Sequence, residues 1–128
     1  MSLTIAAAAR VLDVLRGLNL THANESEMQS GISSALTAAG VEHEREVRLD
    51  QFGRIDFVAG RVGIECKVAG TMVALLDQVY CYAQTDRFEA IVIATTKPDH
   101  LRIPRSIPIH RGGRNVSVHV VVFDGGLR

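Results

Sequence analysis

Gly53-Arg54-Ile55-Asp56-Phe57-Val58-Ala59-Gly60-Arg61-Val62-Gly63-Ile64-Glu65-Cys66-Lys67 is the stretch on which the reading of this chain turns. It reads as two short strands around a tight turn. Side chains alternate between the faces of a strand, which puts Arg54, Asp56 and Val58 on one side of the first and Ile55, Phe57 and Ala59 on the other. The second strand divides into Gly63, Glu65 and Lys67 against Val62, Ile64 and Cys66. A two-residue turn at Gly60-Arg61, with glycine first as a type II′ turn favours, pairs Ala59 with Val62 and therefore Asp56 with Glu65.

Directly opposed side chains in an antiparallel pair have Cβ atoms about 4.5–5.5 Å apart, and like charges there destabilise the sheet. A divalent cation between the carboxylates relieves the repulsion, since Mg²⁺ binds through one or two carboxylates together with water and phosphate. Lys67, one step along the same face, would then stabilise a metal-bound hydroxide or the charge developing on a phosphate. The competing reading is a solvated face on which Arg54 and Lys67 balance the acids. The apolar opposite face of both strands, and the strong strands flanking the hairpin, place it inside a sheet and favour the metal site.

Asp56, eight intervening residues, Glu65, one residue and Lys67 resemble the signature of the PD-(D/E)XK nuclease superfamily, which includes restriction endonucleases, Holliday junction resolvases and small phage nucleases. The resemblance covers approximately residues 24–123. It includes an upstream helix bearing Glu25 and Glu27, and a downstream helix bearing Gln78 that is followed by an apolar strand. Ile55 stands where the family often has proline.

The resemblance implies a restriction endonuclease-like α/β domain, with a mixed sheet of about five strands flanked by helices. It implies hydrolysis of DNA phosphodiester bonds dependent on Mg²⁺ or Mn²⁺, with water attack leaving a 5′-phosphate. Asp56, Glu65 and the backbone carbonyl of Cys66 would bind the metal, and Glu25 would complete the acidic cluster directly or through water. Lys67 would position or help activate the water. Gln78 is either a surface amide or, as in many family members, a polar residue facing the site.

Working outward, Leu3 to about Leu18 is helical, with Ile5, Ala8, Leu12, Leu15 and Leu18 at helical spacing. This helix lies outside the part that resembles the family. It either packs back on the domain or forms a dimer contact. Asn24 suits an N-cap with Glu27 as its capping-box partner, and Met28, Ile32, Ala35, Leu36 and Ala39 form the buried stripe of the second helix. Glu25 falls at the edge of that stripe, where an unpaired carboxylate is costly, so Glu25 is favoured over Glu27 as the upstream acid.

Val41 to Leu49 alternates as a half-exposed strand, with Arg45 and Val47 on one face and Glu44 and Glu46 on the solvated other. Met72 to about Arg87 is a third helix with Leu75, Leu76, Val79, Tyr82 and Ala83 on its core stripe. Ala90 to Thr95 is a strand buried on both faces, reached by a crossover and hence parallel to its partner. Lys97 to Arg114 holds all three prolines and reads as irregular; Lys97, Arg102, Arg105, His110, Arg111 and Arg114 make it the candidate for contacting a phosphate backbone. Val116 to Phe123 is the last strand, and Asp124-Gly125-Gly126 ends the fold.

Composition bounds the rest. The 128 residues suit a single domain over 1–128, and 47% hydrophobic with 22% charged residues is a globular balance. The formal net charge of zero gives no global nucleic-acid signature, although a local basic surface could still steer DNA. Cys66 and Cys81 form no metal-ligand spacing, which with the absence of a signal peptide or membrane span predicts a reduced, cytoplasmic setting. The five histidines show no paired spacing for zinc, and no glycine-rich phosphate loop opens a helix, so a nucleotide cofactor is not expected.

The sequence therefore predicts a metal-dependent deoxyribonuclease, endonuclease rather than exonuclease, for which branched or four-way-junction DNA is a fitting substrate. A homodimer would bring two sites together, with the first helix as candidate interface. The alternative from another class is a non-catalytic DNA-binding or assembly module that retains the nuclease fold.

Overall fold

Six strands and three helices build the chain, in a computed structural model that describes residues 3–20, 24–110 and 112–123. The strands are β1 (Glu44–Arg48), β2 (Arg54–Ala59), β3 (Val62–Lys67), β4 (Ala90–Thr95), β5 (Ser106–Pro108) and β6 (Asn115–Val122), and the helices α1 (Leu3–Arg16), α2 (Glu25–Ala38) and α3 (Met72–Gln84). The sheet order is β1-β2-β3-β4-β6-β5. β3, β4 and β6 run parallel, while β1, β2 and β5 join by antiparallel pairing. The fold is thus α/β with a mixed sheet, of six strands rather than five.

The extra strand is β5, inside the segment that reads as irregular. Two prolines flank or end it, and a proline is tolerated only where its missing N–H faces no neighbour, as on this edge. Ile107 and Ile109 are buried on one side of it, an alternation that the prolines conceal. A 3-10 turn at Pro98–Arg102 occupies more of the same segment. Arg111, and the ending expected at Asp124-Gly125-Gly126, lie outside the described residues.

Two apolar cores sandwich the sheet. On one face α1 and α2 lay Ala8, Val11, Leu12, Leu15, Met28, Ile32 and Leu36 on Phe57, Val62, Ile64, Cys66, Val92 and Ala94. On the other, Leu75, Val79, Tyr82 and Ala83 of α3 meet Ile55, Ile91, Ile93, Ile107 and Val118. β4 contributes to both, which explains its unbroken apolar run. Among the described residues the apolar stripe of α1, Ala8, Val11, Leu12 and Leu15, is buried against its own sheet, the first of the two places expected for it. The side chain of Ile5 lies outside the description.

α2 is opened by Asn24, whose Oδ1 accepts from the Glu27 amide at 2.8 Å, while its Nδ2 donates to Glu27 Oε1 at 3.3 Å. Thr71 caps α3 in the same manner through the Ala74 amide. The hairpin follows the expected register, with Ala59 against Val62, Val58 against Gly63 and Phe57 against Ile64. Gly60 has φ of 61° and Arg61 does not share that positive sign, as a type II′ turn requires.

The strict alternation expected along β1 and β2 fails, and it fails at one level in both. Arg45 lies over the Phe57 ring on the α1/α2 side, with His43 edge-on to the same ring. Two residues on, Val47 and Ile55 both pack on the α3 side, together with Val58. The pairing Arg45–Phe57 and Val47–Ile55 keeps its register across the change. The flip therefore occurs at Glu46, which has φ of 52°, and at Asp56 opposite it. Arg54, Asp56 and Val58 do not share a face after all.

Candidate active site

The flip decides where the Asp56 carboxylate goes. The β2–β3 pairing ends at Phe57–Ile64, and beyond it the side chain of Asp56 takes the place of backbone pairing. Its Oδ2 accepts the Cys66 amide at 2.8 Å, and its Oδ1 accepts Gln29 Nε2 from α2 at 3.1 Å. On β3 the alternation holds, and Glu65 turns toward α3. Asp56 and Glu65 are still brought together, since the Asp56 amide donates to Glu65 Oε1 at 3.4 Å.

Glu65 is only 4% exposed, a rare position for a carboxylate. Tyr82 Oη approaches its Oε1 at 3.2 Å, and Lys67 Nζ lies 3.4 Å from Oε2. Burial, reinforced by the Asp56 charge and only partly offset by Lys67, pushes the Glu65 carboxyl up to about 8. Burial also raises Asp56, against the lowering effects of the Cys66 amide and Lys67. The acids titrate as a pair, and at neutral pH one proton between them removes the repulsion that the sequence exposes. A divalent cation does the same by taking that proton's place.

The residues fit a hard cation. Two carboxylates bound the opening between β2 and β3, and Mg²⁺ needs no more than that from side chains when water and phosphate complete its shell. Lys67 O accepts from Thr96 N at 3.2 Å and so faces β4. Backbone groups alternate sides along a strand, so the carbonyl of Cys66 turns, like its amide, toward β2 and the opening. The Cys66 thiol instead lies in the α1/α2 core, where burial pushes its pKa far above the ordinary range. It is a core hydrophobe, as its place in the pattern predicts.

The remaining expected residues divide. Glu25 is exposed in the first turn of α2 and makes no hydrogen bond to Asp56 or Glu65, although its charge bears on the Cys66 thiol. Glu27 is engaged at the Asn24 cap. Gln78, one turn before Tyr82 on the same face of α3, holds its Oε1 buried without a hydrogen-bond partner. The residue as a whole is half-buried. Among the described residues no group of three or more His, Cys, Asp or Glu side chains converges to hold an ion.

Two residues of the site escape the sequence reading, and a third, Glu46, is recognised there as nearest the hairpin but assigned to a solvated face. Gln29 lies one helical turn beyond Glu25, and only the packing of α2 tells that it reaches Asp56. Tyr82 reads as plain core because it sits on an apolar stripe. Glu46 alternates like a solvated glutamate, yet it is exposed opposite Asp56 and its charge contributes to raising the Asp56 carboxyl. A positive φ at a non-glycine residue costs about 1 kcal/mol and has no sequence signature here.

The site opens at the carboxyl ends of β3 and β4, where open α/β sheets generally bind ligands. Compared with protein-family models, with curated proteins and with solved structures, the chain matches none. No described helix is long and apolar enough to cross a membrane.

Proposed function

We propose that this chain is a metal-dependent deoxyribonuclease with a restriction endonuclease-like arrangement, cleaving phosphodiester bonds with Mg²⁺ or Mn²⁺. The reading rests on the convergence of Asp56, Glu65 and Lys67 where the β2–β3 ladder opens. Asp56, Glu65 and the Cys66 carbonyl would hold the cation, which when bound polarises a phosphoryl oxygen and acidifies water. Glu25, exposed in the first turn of α2, would act as an outer acid only through water.

The chain's own residues supply the rest. Lys67 places an ammonium at the mouth of the opening, where it would hold the attacking water and offset charge on the phosphate. Water oxygen would add to phosphorus as the bond to the 3′ oxygen breaks, leaving a 5′-phosphate and a 3′-hydroxyl. Tyr82 fixes the Glu65 carboxylate, Gln29 fixes Asp56, and the half-buried Gln78, with its unpartnered Oε1, is a candidate to orient water or phosphate. DNA is the expected partner, with branched or junction forms favoured.

The test is cleavage of labelled duplex, single-stranded, flapped and four-way-junction DNA with Mg²⁺, Mn²⁺ or EDTA, beside Asp56→Ala and Lys67→Ala proteins. Metal-dependent cutting that both substitutions abolish supports the reading. Absence of cutting on all four, or equal cutting by the variants, removes catalysis and leaves a DNA-binding or assembly module as the alternative.

A further inference from the structure

Just past the end of the strand that neighbours Lys67, the backbone of a second lysine, Lys97, is held by a buried polar fastening. Thr95 is paired in register with Lys67 and is fully buried. Its Oγ1 lies 2.7 Å from Nδ1 of His100, itself 1% exposed, and accepts the Lys97 amide at 3.0 Å. The His100 amide closes the turn on Lys97 O at 3.0 Å. Burying a threonine hydroxyl and an imidazole together costs free energy that their mutual bond offsets, and the result is a rigid turn.

Burial, then the Lys97 charge, hold the His100 pKa down, against the opposing Asp99 charge and with a smaller lowering from Lys67. His100 Nε2 is buried there without a hydrogen-bond partner. Of the other basic groups of the segment, Arg114 pairs with Asp86 and the His110 imidazole meets Tyr80 Oη, while Arg102 and Arg105 are exposed farther along the chain. Lys97 makes no salt bridge among the described residues, whereas Lys67 is paired with Glu65.

Resting on the nuclease reading, we infer that the Thr95–His100 fastening presents Lys97 as a phosphate-holding group of the DNA site, adjacent to Lys67. It would grip a backbone phosphate next to the scissile one. Its contribution is independent of sequence, because it meets only the phosphodiester backbone.

The experiment measures binding of fluorescein-labelled duplex, single-stranded and junction DNA by fluorescence anisotropy in EDTA, from about 50 to 200 mM salt. Lys97→Met should weaken binding to every DNA bound by the wild type and reduce the slope of log K against log salt by about one unit. Lys97→Arg should restore the slope, and Arg114→Met should leave it unchanged. Lys97 is bonded through its backbone, so these variants keep the fold, checked by circular dichroism. A Lys97→Met slope equal to wild type overturns the assignment while leaving the nuclease reading intact. Absence of salt-dependent binding by the wild type overturns it too, and cleavage of the same DNAs with Mg²⁺ then decides whether the nuclease reading falls with it.

Discussion

Tyr82 Oη stands 3.2 Å from Glu65 Oε1 and 2.9 Å from the carbonyl of Arg54, so one phenolic proton faces two acceptors. With Glu65 protonated, the carboxyl can donate to Tyr82 while Tyr82 donates to Arg54. With Glu65 ionised, the phenol is the donor that Glu65 needs. Tyr82→Phe should therefore destabilise the fold by about 1–3 kcal/mol, since an acceptor is left buried without a partner. Mg²⁺ affinity, measured by isothermal titration calorimetry, should fall as well. An unchanged affinity would confine Tyr82 to a packing role.

The raised Glu65 carboxyl ties stability to pH with a definite sign. In the unfolded chain this group loses its proton near its ordinary value of 4.5, and in the folded protein near 8. Between those values the folded state binds more protons, so unfolding free energy falls as pH rises through that window. The contribution is fully present below about pH 4.5 and lost by about pH 8, on the order of 5 kcal/mol for a shift of that size. Urea unfolding of wild type and Glu65→Gln across this range isolates it. The variant should lack that slope and be the more stable protein at pH 8.

Metal should reverse the trend. Binding requires the Glu65 proton to leave, so Mg²⁺ affinity is expected to rise with pH up to about 8 and to release protons measurable from the buffer dependence of the binding heat. Asp56→Asn or Glu65→Gln should abolish the binding. Proton release that persists in Glu65→Gln would place the linked group elsewhere.

Gln29 and Glu25 make different claims on Asp56. Gln29→Ala removes a direct partner of Asp56 Oδ1 and should lower cleavage by about tenfold, the effect expected for a support of a ligand. Glu25→Ala should matter less if the acid acts only through water. Cleavage rates of both variants on one substrate rank them, and a larger loss at Glu25 would restore it to direct ligation.

Gly63 tests the packing beneath the hairpin. A Cβ there would lie 2.6 Å from Ile55 Cδ1 and 3.2 Å from Phe88 Cε1, because Ile55 has turned to the α3 side. Gly63→Ala is expected to cost about 1–3 kcal/mol by overpacking. Ile55→Val, which withdraws the nearest methyl, should recover part of that in the double variant. Thermal unfolding reads both, and a neutral Gly63→Ala would contradict the face flip at Asp56.

Much of this arrangement is legible in the residues. Gly60-Arg61 dictates the turn and the register, the Asn24–Glu27 pair dictates the start of α2, and the run from Ala90 to Thr95 dictates a strand covered on both sides. These follow from local sterics and from burial, which act over a few residues. The strand at Ser106–Pro108 is hidden because its prolines argue against pairing until the neighbour it lacks is known. The fastening of Thr95 to His100 is hidden because a polar pair shows its purpose only once both are buried.

The sequence by itself determined an α/β chain, a hairpin carrying Asp56, Glu65 and Lys67, and the amphipathic stripes that cover the sheet, since spacing and side-chain chemistry carry those directly. Only the tertiary structure decided that Asp56 turns to Gln29 and the Cys66 amide while Glu65 turns to Tyr82. That choice depends on a flip in step at Glu46 and Asp56, held by Phe57 packing on one side of the sheet and Ile55 on the other. Such a flip balances a local backbone cost against burial in two separate cores, and the second half of that balance involves residues far apart in the chain.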